Sequence, residues 1–182
     1  MNQFLLWNGL FSLLLAMLLG ILAIYLGFNA FKRFNSKVDE EFELRNNNIA
    51  VATVSGSFII SLGILMQSVI DPITQTIFNL VYRYQQLGVV FGEVVATLGV
   101  VFLQFSIALV LSLATLTLGT RLYMKINRQT DELEEIANNN IAVAIVVGAI
   151  TVTLALMLSS GMEVFLNALV PAPPSLNENL PY

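Results

Sequence analysis

Two stretches hold most of the chemically useful side chains of this chain, and they are near copies: KVDEEFELRNNNIAVATVSGS from Lys37 and QTDELEEIANNNIAVAIVVGA from Gln129. Each sets acids before an asparagine triplet: Asp39, Glu40 and Glu43 before Asn46, Asn47 and Asn48, and Asp131, Glu132 and Glu135 before Asn138, Asn139 and Asn140. At helical spacing one stripe runs Glu40, Glu43, Asn47, Ala50, Val54, Ser57, Ser61, and the other Glu132, Glu135, Asn139, Ala142, Val146, Ala149, Thr153. If the stripes face each other, carboxylates form a vestibule, amides a narrow ring and small residues a path. Acid rings concentrate cations, and amide oxygens replace part of a cation's water shell. The same residues also suit plain helix starts, where the dipole favours acids and asparagines cap free N–H groups. The acids could instead bind a basic partner. A divalent metal acting on lipid headgroups needs ligands from both loops, and their spacing matches no recognised metal loop.

Other chemistry is thin. The chain has no Cys and no His, which removes thiol catalysis, disulfides, Cys/His zinc sites and imidazole triads. It has no phosphate-binding G-x-x-x-x-G-K-[ST] loop, and no Lys lies inside an apolar run to form a Schiff base. Neither an enzyme nor a cofactor or metal site is expected. With a sequence pI near 4.7, no nucleic-acid partner is expected either.

The elements that position the two motifs are membrane helices. Of 182 residues 57% are hydrophobic and 11% charged, against roughly a quarter charged in a soluble domain. Four apolar runs, Phe4–Phe31, Ile49–Ile70, Gly88–Gly119 and Ile141–Ala168, are long enough to cross a ~30 Å hydrocarbon core. The first lacks a basic start and a small-residue cleavage pattern, so it reads as a retained helix. Seven of the eight basic residues (Lys32, Arg33, Lys37, Arg45, Arg121, Lys125, Arg128) fall in the connections after the first and third runs. The positive-inside rule then predicts cytoplasmic 1–2 and 3–4 connections, with both termini outside.

A constant offset of 92 aligns residues near 12–71 with residues near 104–163, including seven consecutive identities at Asn46–Ala52 and Asn138–Ala144. Each copy holds two helices, an even number, so the copies run parallel and a pseudo-two-fold axis along the membrane normal is expected. Small residues recur in register. Ala16, Gly20, Ala23 and Gly27 answer to Ala108, Ser112, Thr115 and Gly119; Ala52 and Gly56 answer to Ala144 and Gly148. Such faces let helix backbones approach closely in lipid.

The whole chain reads as one all-α integral membrane domain: repeat 1 over about 4–71, an external amphipathic connection over about 72–87, repeat 2 over about 88–168 and a Pro-rich external tail over 169–182. In the connection, Ile73, Ile77, Leu80, Tyr84 and Leu87 share a face, which lies on the membrane surface or covers the protein's own helix ends. Gln104, the most deeply placed amide, is expected to bond to a neighbouring helix. Asp71, Glu93 and Glu163 sit at expected outer helix ends. Trp7, Tyr25, Tyr82, Tyr84 and Tyr123 fit an interfacial belt.

The paired NNNIAVA motifs, with Arg121-Leu122-Tyr123-Met124 ending the third helix, resemble the bacterial family called domain of unknown function 350, over roughly Gly9–Gly161. The resemblance implies a four-helix inner-membrane protein of two repeats, sometimes encoded near envelope-stress proteins of the phage-shock type, with no catalytic residues to carry over. Two functions follow. One is a membrane scaffold or assembly component, a homo-oligomer or complex subunit whose acidic loops recruit a soluble cytoplasmic partner. The other is a small-cation channel or transporter using the paired stripes. No acid or base stands near a helix centre, where ion-coupled transporters usually keep one, and this favours the scaffold.

Overall fold

The computed structural model describes residues 3–34, 40–87, 91–126 and 132–171. In hydrocarbon every backbone N–H must find a partner within the protein, so apolar runs of this length become helices. The elements are α1 (Gln3–Phe34), α2 (Glu40–Arg45), α3 (Ile49–Gln67), α4 (Ile70–Leu87), α5 (Phe91–Ile126), α6 (Glu132–Ala137) and α7 (Ile141–Asn167). Four helical stretches, beginning at Gly9, Ile49, Phe91 and Ile141, are long and apolar enough to cross a membrane. The chain is a multi-pass membrane protein of two parallel repeats, α1–α3 and α5–α7, related by a pseudo-two-fold axis along the membrane normal.

Two short helices, α2 and α6, precede the second span of each repeat. The α3–α7 pair is the most extensive packing in the molecule, and α3 is the most enclosed of the four spans. Within the repeats α1 packs on α3 and α5 on α7. Between the repeats the arrangement departs from strict symmetry, because α5 also packs along α3 while α7 makes no comparable contact with α1.

The small residues explain the pairing within each repeat. A Cβ on Gly27 would collide with Leu62 Cδ2, and one on Gly119 with Leu154 Cδ1. These are the same contact repeated at the offset of 92. Ala23, one turn before Gly27, is buried, and so is Ala108 further along α5. Gly20 differs from expectation, since a Cβ there meets nothing within 4 Å. Here α1 and α3 separate around an apolar pocket of about 100 Å³ lined in part by Ala16, Gly20, Leu62 and Gly63. Ala144 and Gly148 are buried, and a Cβ on Gly148 would strike Ser57 Oγ. Their counterparts break the match: Ala52 is exposed and Gly56 has no close neighbour. The reason is geometric, since α3 and α7 meet through different sides of equivalent sequences.

The connection after α3 is a helix, α4, turned off at Ser68–Val69. Pro72 has no N–H to return to Ser68, which favours the break. Pro72, Ile73 and Thr76 are buried as α4 packs on α5, and Phe11 of α1 meets Phe78 edge to face at 6.2 Å. The segment packs on the protein's own helices α1, α5 and α7. Gln104, fully buried on α5, donates to Thr76 Oγ1 at 3.1 Å, and Thr76 donates to the Pro72 carbonyl at 2.9 Å. Asn79 reaches the Pro171 carbonyl at 2.9 Å.

Candidate functional site

Each asparagine triplet is a joint between two helices, and its three residues do three different jobs. Asn46 follows the last residue of α2. Asn47 adopts a left-handed conformation (φ 59°), and the N–H of Asn47 donates to the Leu44 carbonyl at 3.2 Å while that of Asn48 donates to the Glu43 carbonyl at 3.0 Å. Those paired bonds close the C-terminus of α2. Asn48 then caps α3, its Oδ1 accepting from the Val51 N–H at 3.0 Å. The second joint repeats this. Asn139 has φ 63°, its N–H donates to Ile136 O at 3.0 Å, that of Asn140 donates to Glu135 O at 2.9 Å, and Asn140 Oδ1 accepts from Val143 N–H at 3.3 Å.

The residue types follow from the joint. Of residues with a Cβ, asparagine is among those that best tolerate a left-handed conformation, and it is a strong N-cap. The acid five residues before each cap fixes it: Asn48 Nδ2 donates to Glu43 Oε2 at 2.9 Å, and Asn140 Nδ2 to Glu135 Oε2 at 2.7 Å. Glu40 and Glu132 start α2 and α6 and are buried. Their helix dipoles favour a carboxylate there. Exposed Glu41 pairs with Arg45 one turn on, at 2.8 Å.

The two joints also bind each other. Asn48 Nδ2 reaches the Ile136 and Ala137 carbonyls at 3.2 and 3.0 Å, which are free because α6 ends there. In return Asn139 Oδ1 accepts from the Ala50 N–H at 3.0 Å, a donor left free by the start of α3. Buried Ala50, Val51, Ile136, Ala144 and Val147 form an apolar cluster just behind this lattice. Both acidic motifs therefore stand at the same end of the molecule, beside the pseudo-two-fold axis.

The continuous stripes expected from sequence do not survive the turn. Glu40 and Glu43 belong to a separate helix from Ala50, Val54, Ser57 and Ser61, because the left-handed Asn47 interrupts the helical register. On α7, Ala142, Val146, Ala149 and Thr153 are exposed, while Ala144, Val147, Gly148, Thr151 and Ala155 are buried. The two stripes thus do not line opposite walls within one chain. Hydroxyls along the helices turn back on their own backbones: Ser57 to Thr53 O, Ser61 to Ser57 O, Thr151 to Val147 O. Ser68 instead crosses to the Ser159 carbonyl at 2.9 Å.

Asp39 and Asp131, with Asn35, Asn127, Lys37 and Arg128, lie outside the described residues, as do the tail from 172 and the side chains of Trp7, Tyr84 and Tyr123. Among the described residues no three acids gather as a metal site requires. Asp71 and Glu163 are exposed, Glu93 partly so. Sequence reasoning missed the cross-repeat bonds of Asn48 and Asn139. The signal was the triplet itself, whose three consecutive asparagines match the three successive demands of a helix–turn–helix joint.

A family model described as Domain of Unknown Function (DUF350) matches the chain twice, over residues 4–103 and 94–171. The chain belongs to the DUF350 family. Nothing among curated proteins or solved structures matches it. The two DUF350 matches agree with the duplicated joint, and the second covers α6 and α7 entirely.

Proposed function

We propose that this DUF350 protein is a non-catalytic scaffold or assembly component of the bacterial inner membrane, with α2, α6 and their acidic residues turned to the cytoplasm. The observation that carries the reading is the use of the asparagines. Three amide oxygens of the triplets, those of Asn48, Asn139 and Asn140, already accept backbone N–H groups, and Asn139 is one of the two amides a conduit would set in its ring. A joint tied across both repeats by Asn48 and Asn139 suits rigid presentation of a surface better than passage of an ion. Exposed Glu41, Glu134 and Arg45 leave a charged surface for a soluble partner.

Purified protein in proteoliposomes is expected to pass no cation over a broad panel of monovalent and divalent ions, and to form an oligomer in lipid bilayer discs. Cation flux that changes when Asn47 and Asn139 are both replaced by Ala would replace this reading with the conduit. The orientation rests on the basic residues. Cysteines introduced singly at Ser36, Gln129, Gln85 and Ser175 should label from outside only at the last two, and outside labelling at Ser36 or Gln129 would invert it.

A further inference from the structure

We propose that copies of this chain join head to tail in the membrane, with α7 of one copy seated in the open groove between α1 and α3 of the next. This deepens the scaffold reading and rests on it. The template is inside the chain. Leu65, Met66 and Val69 form a face at the end of α3 that is buried in the core shared with repeat 2, where Met66 Sδ lies 3.8 Å from Ser112 Oγ of α5. Their counterparts at the offset of 92 are Met157, Leu158 and Gly161 on α7. All three are exposed, Met157 by 74% against 0% for Leu65.

The receiving side is unequal in the opposite sense. Ser112, Leu116 and Ala155 of repeat 2 are fully buried. Their counterparts Gly20, Ile24 and Gly63 line the open pocket, with Ile24 43% exposed. One chain therefore uses the knob of repeat 1 and the groove of repeat 2, and leaves over the knob of repeat 2 and the groove of repeat 1.

A leftover knob and a leftover groove on different parts of one surface make a heterologous contact, which builds a ring or an open row rather than a closed two-fold dimer. Depth and direction agree with this. The internal contact pairs the second span of a repeat with a first span, and α7 against α1 repeats that pairing at equivalent sequence positions, in the same antiparallel sense. Lipid chains alone would also cover these surfaces, but they give no reason for knob and groove to be vacated together.

The chain has no native cysteine, so disulfide trapping is clean. Two full-length variants, Gly20→Cys and Leu158→Cys, carrying different affinity tags, are co-expressed and oxidised in native membranes. A disulfide needs Cα atoms within about 7 Å. The expected result is a linked dimer containing both tags, and its loss when either variant is expressed alone. As a control on the template, Met66→Cys with Ser112→Cys in one chain should close an intramolecular bridge and shift its gel mobility.

A dimer from either variant alone would mean a two-fold contact and overturn the proposal, as would an unbridged control. An oligomer in lipid discs without the mixed disulfide would refute this interface and leave the scaffold reading standing. A monomer that conducts cations would refute the scaffold reading, and this proposal with it. A monomer without flux that keeps lipid in the groove would overturn the head-to-tail contact alone.

Discussion

The repeated contact of Gly27 with Leu62 offers the most direct test of how the repeats are built. An alanine at 27 puts its methyl onto Leu62 Cδ2 and about as close as 3.3 and 3.4 Å to Cγ and Cδ1. Leu62 is only 1% exposed, so it must rotate or the helices must part. Overpacking of this kind costs about 1–3 kcal/mol. Leu62 also lines the pocket beside Gly20, which gives it somewhere to go and sets the expected cost near the lower end. Replacing Gly by Ala separately gains up to about 1 kcal/mol of helix propensity, which can mask the clash in a single variant. A double-mutant cycle with Leu62→Ala removes that ambiguity, because the propensity gain is common to both backgrounds. Gly27→Ala should stabilise the Leu62→Ala protein by up to about 1 kcal/mol and lose that gain in the wild type, a coupling of about 1 kcal/mol. Gly20→Ala, whose methyl meets nothing within 4 Å, should show none. Reversible unfolding in bicelles reads all the required differences. Equal effects of Gly27→Ala in the two backgrounds, or coupling as large at Gly20, would refute the close approach of α1 and α3 at Gly27.

Three further outcomes follow from the same geometry. Gly148→Ala should fall below Gly56→Ala by about 1–3 kcal/mol, because its methyl strikes Ser57 while that at 56 meets nothing and keeps the propensity gain, both read as unfolding midpoints. Asn47→Gly should be tolerated because glycine takes the left-handed conformation freely, whereas Asn47→Val should cost about 1–2 kcal/mol of stability in the same assay. Asn48→Ala should destabilise more than Asn140→Ala, since Asn48 additionally bonds two carbonyls of α6, each such bond being worth about 1 kcal/mol.

Much of this molecule was legible in its sequence because membrane helices announce themselves by length and composition, and because a duplicated motif fixes both number and sense of the repeats. Gln104 found its neighbour for the same reason, since an amide in that setting must bond to something. The stripes were not legible. Periodicity read Glu43, Asn47 and Ala50 as one helical face, but a single left-handed residue rotates everything after it, and Asn47 is one of the few residue types that hides such a break. Helical spacing describes a face only where the helix is continuous. The acids therefore belong to a short cytoplasm-proposed cap, and the small residues to a separate span.

Sequence identity between the repeats also misled about packing, and for a deeper reason. Ala52 and Ala144 sit in identical heptapeptides, yet one is exposed and the other fully buried. Leu65 and Met157 occupy equivalent places and stand at opposite extremes of exposure. A repeat inherits the capacity for a contact, and its position in the chain decides whether that contact is made. Repeat 1 is followed by α4, which packs over α5 and shares its buried core with the end of α3. Repeat 2 has no such helix among the described residues, and its equivalent face on α7 stays open. The covering helix, the one element outside the duplication, accompanies the loss of symmetry between two nearly identical halves, and this asymmetry leaves a complementary pair of surfaces for another copy.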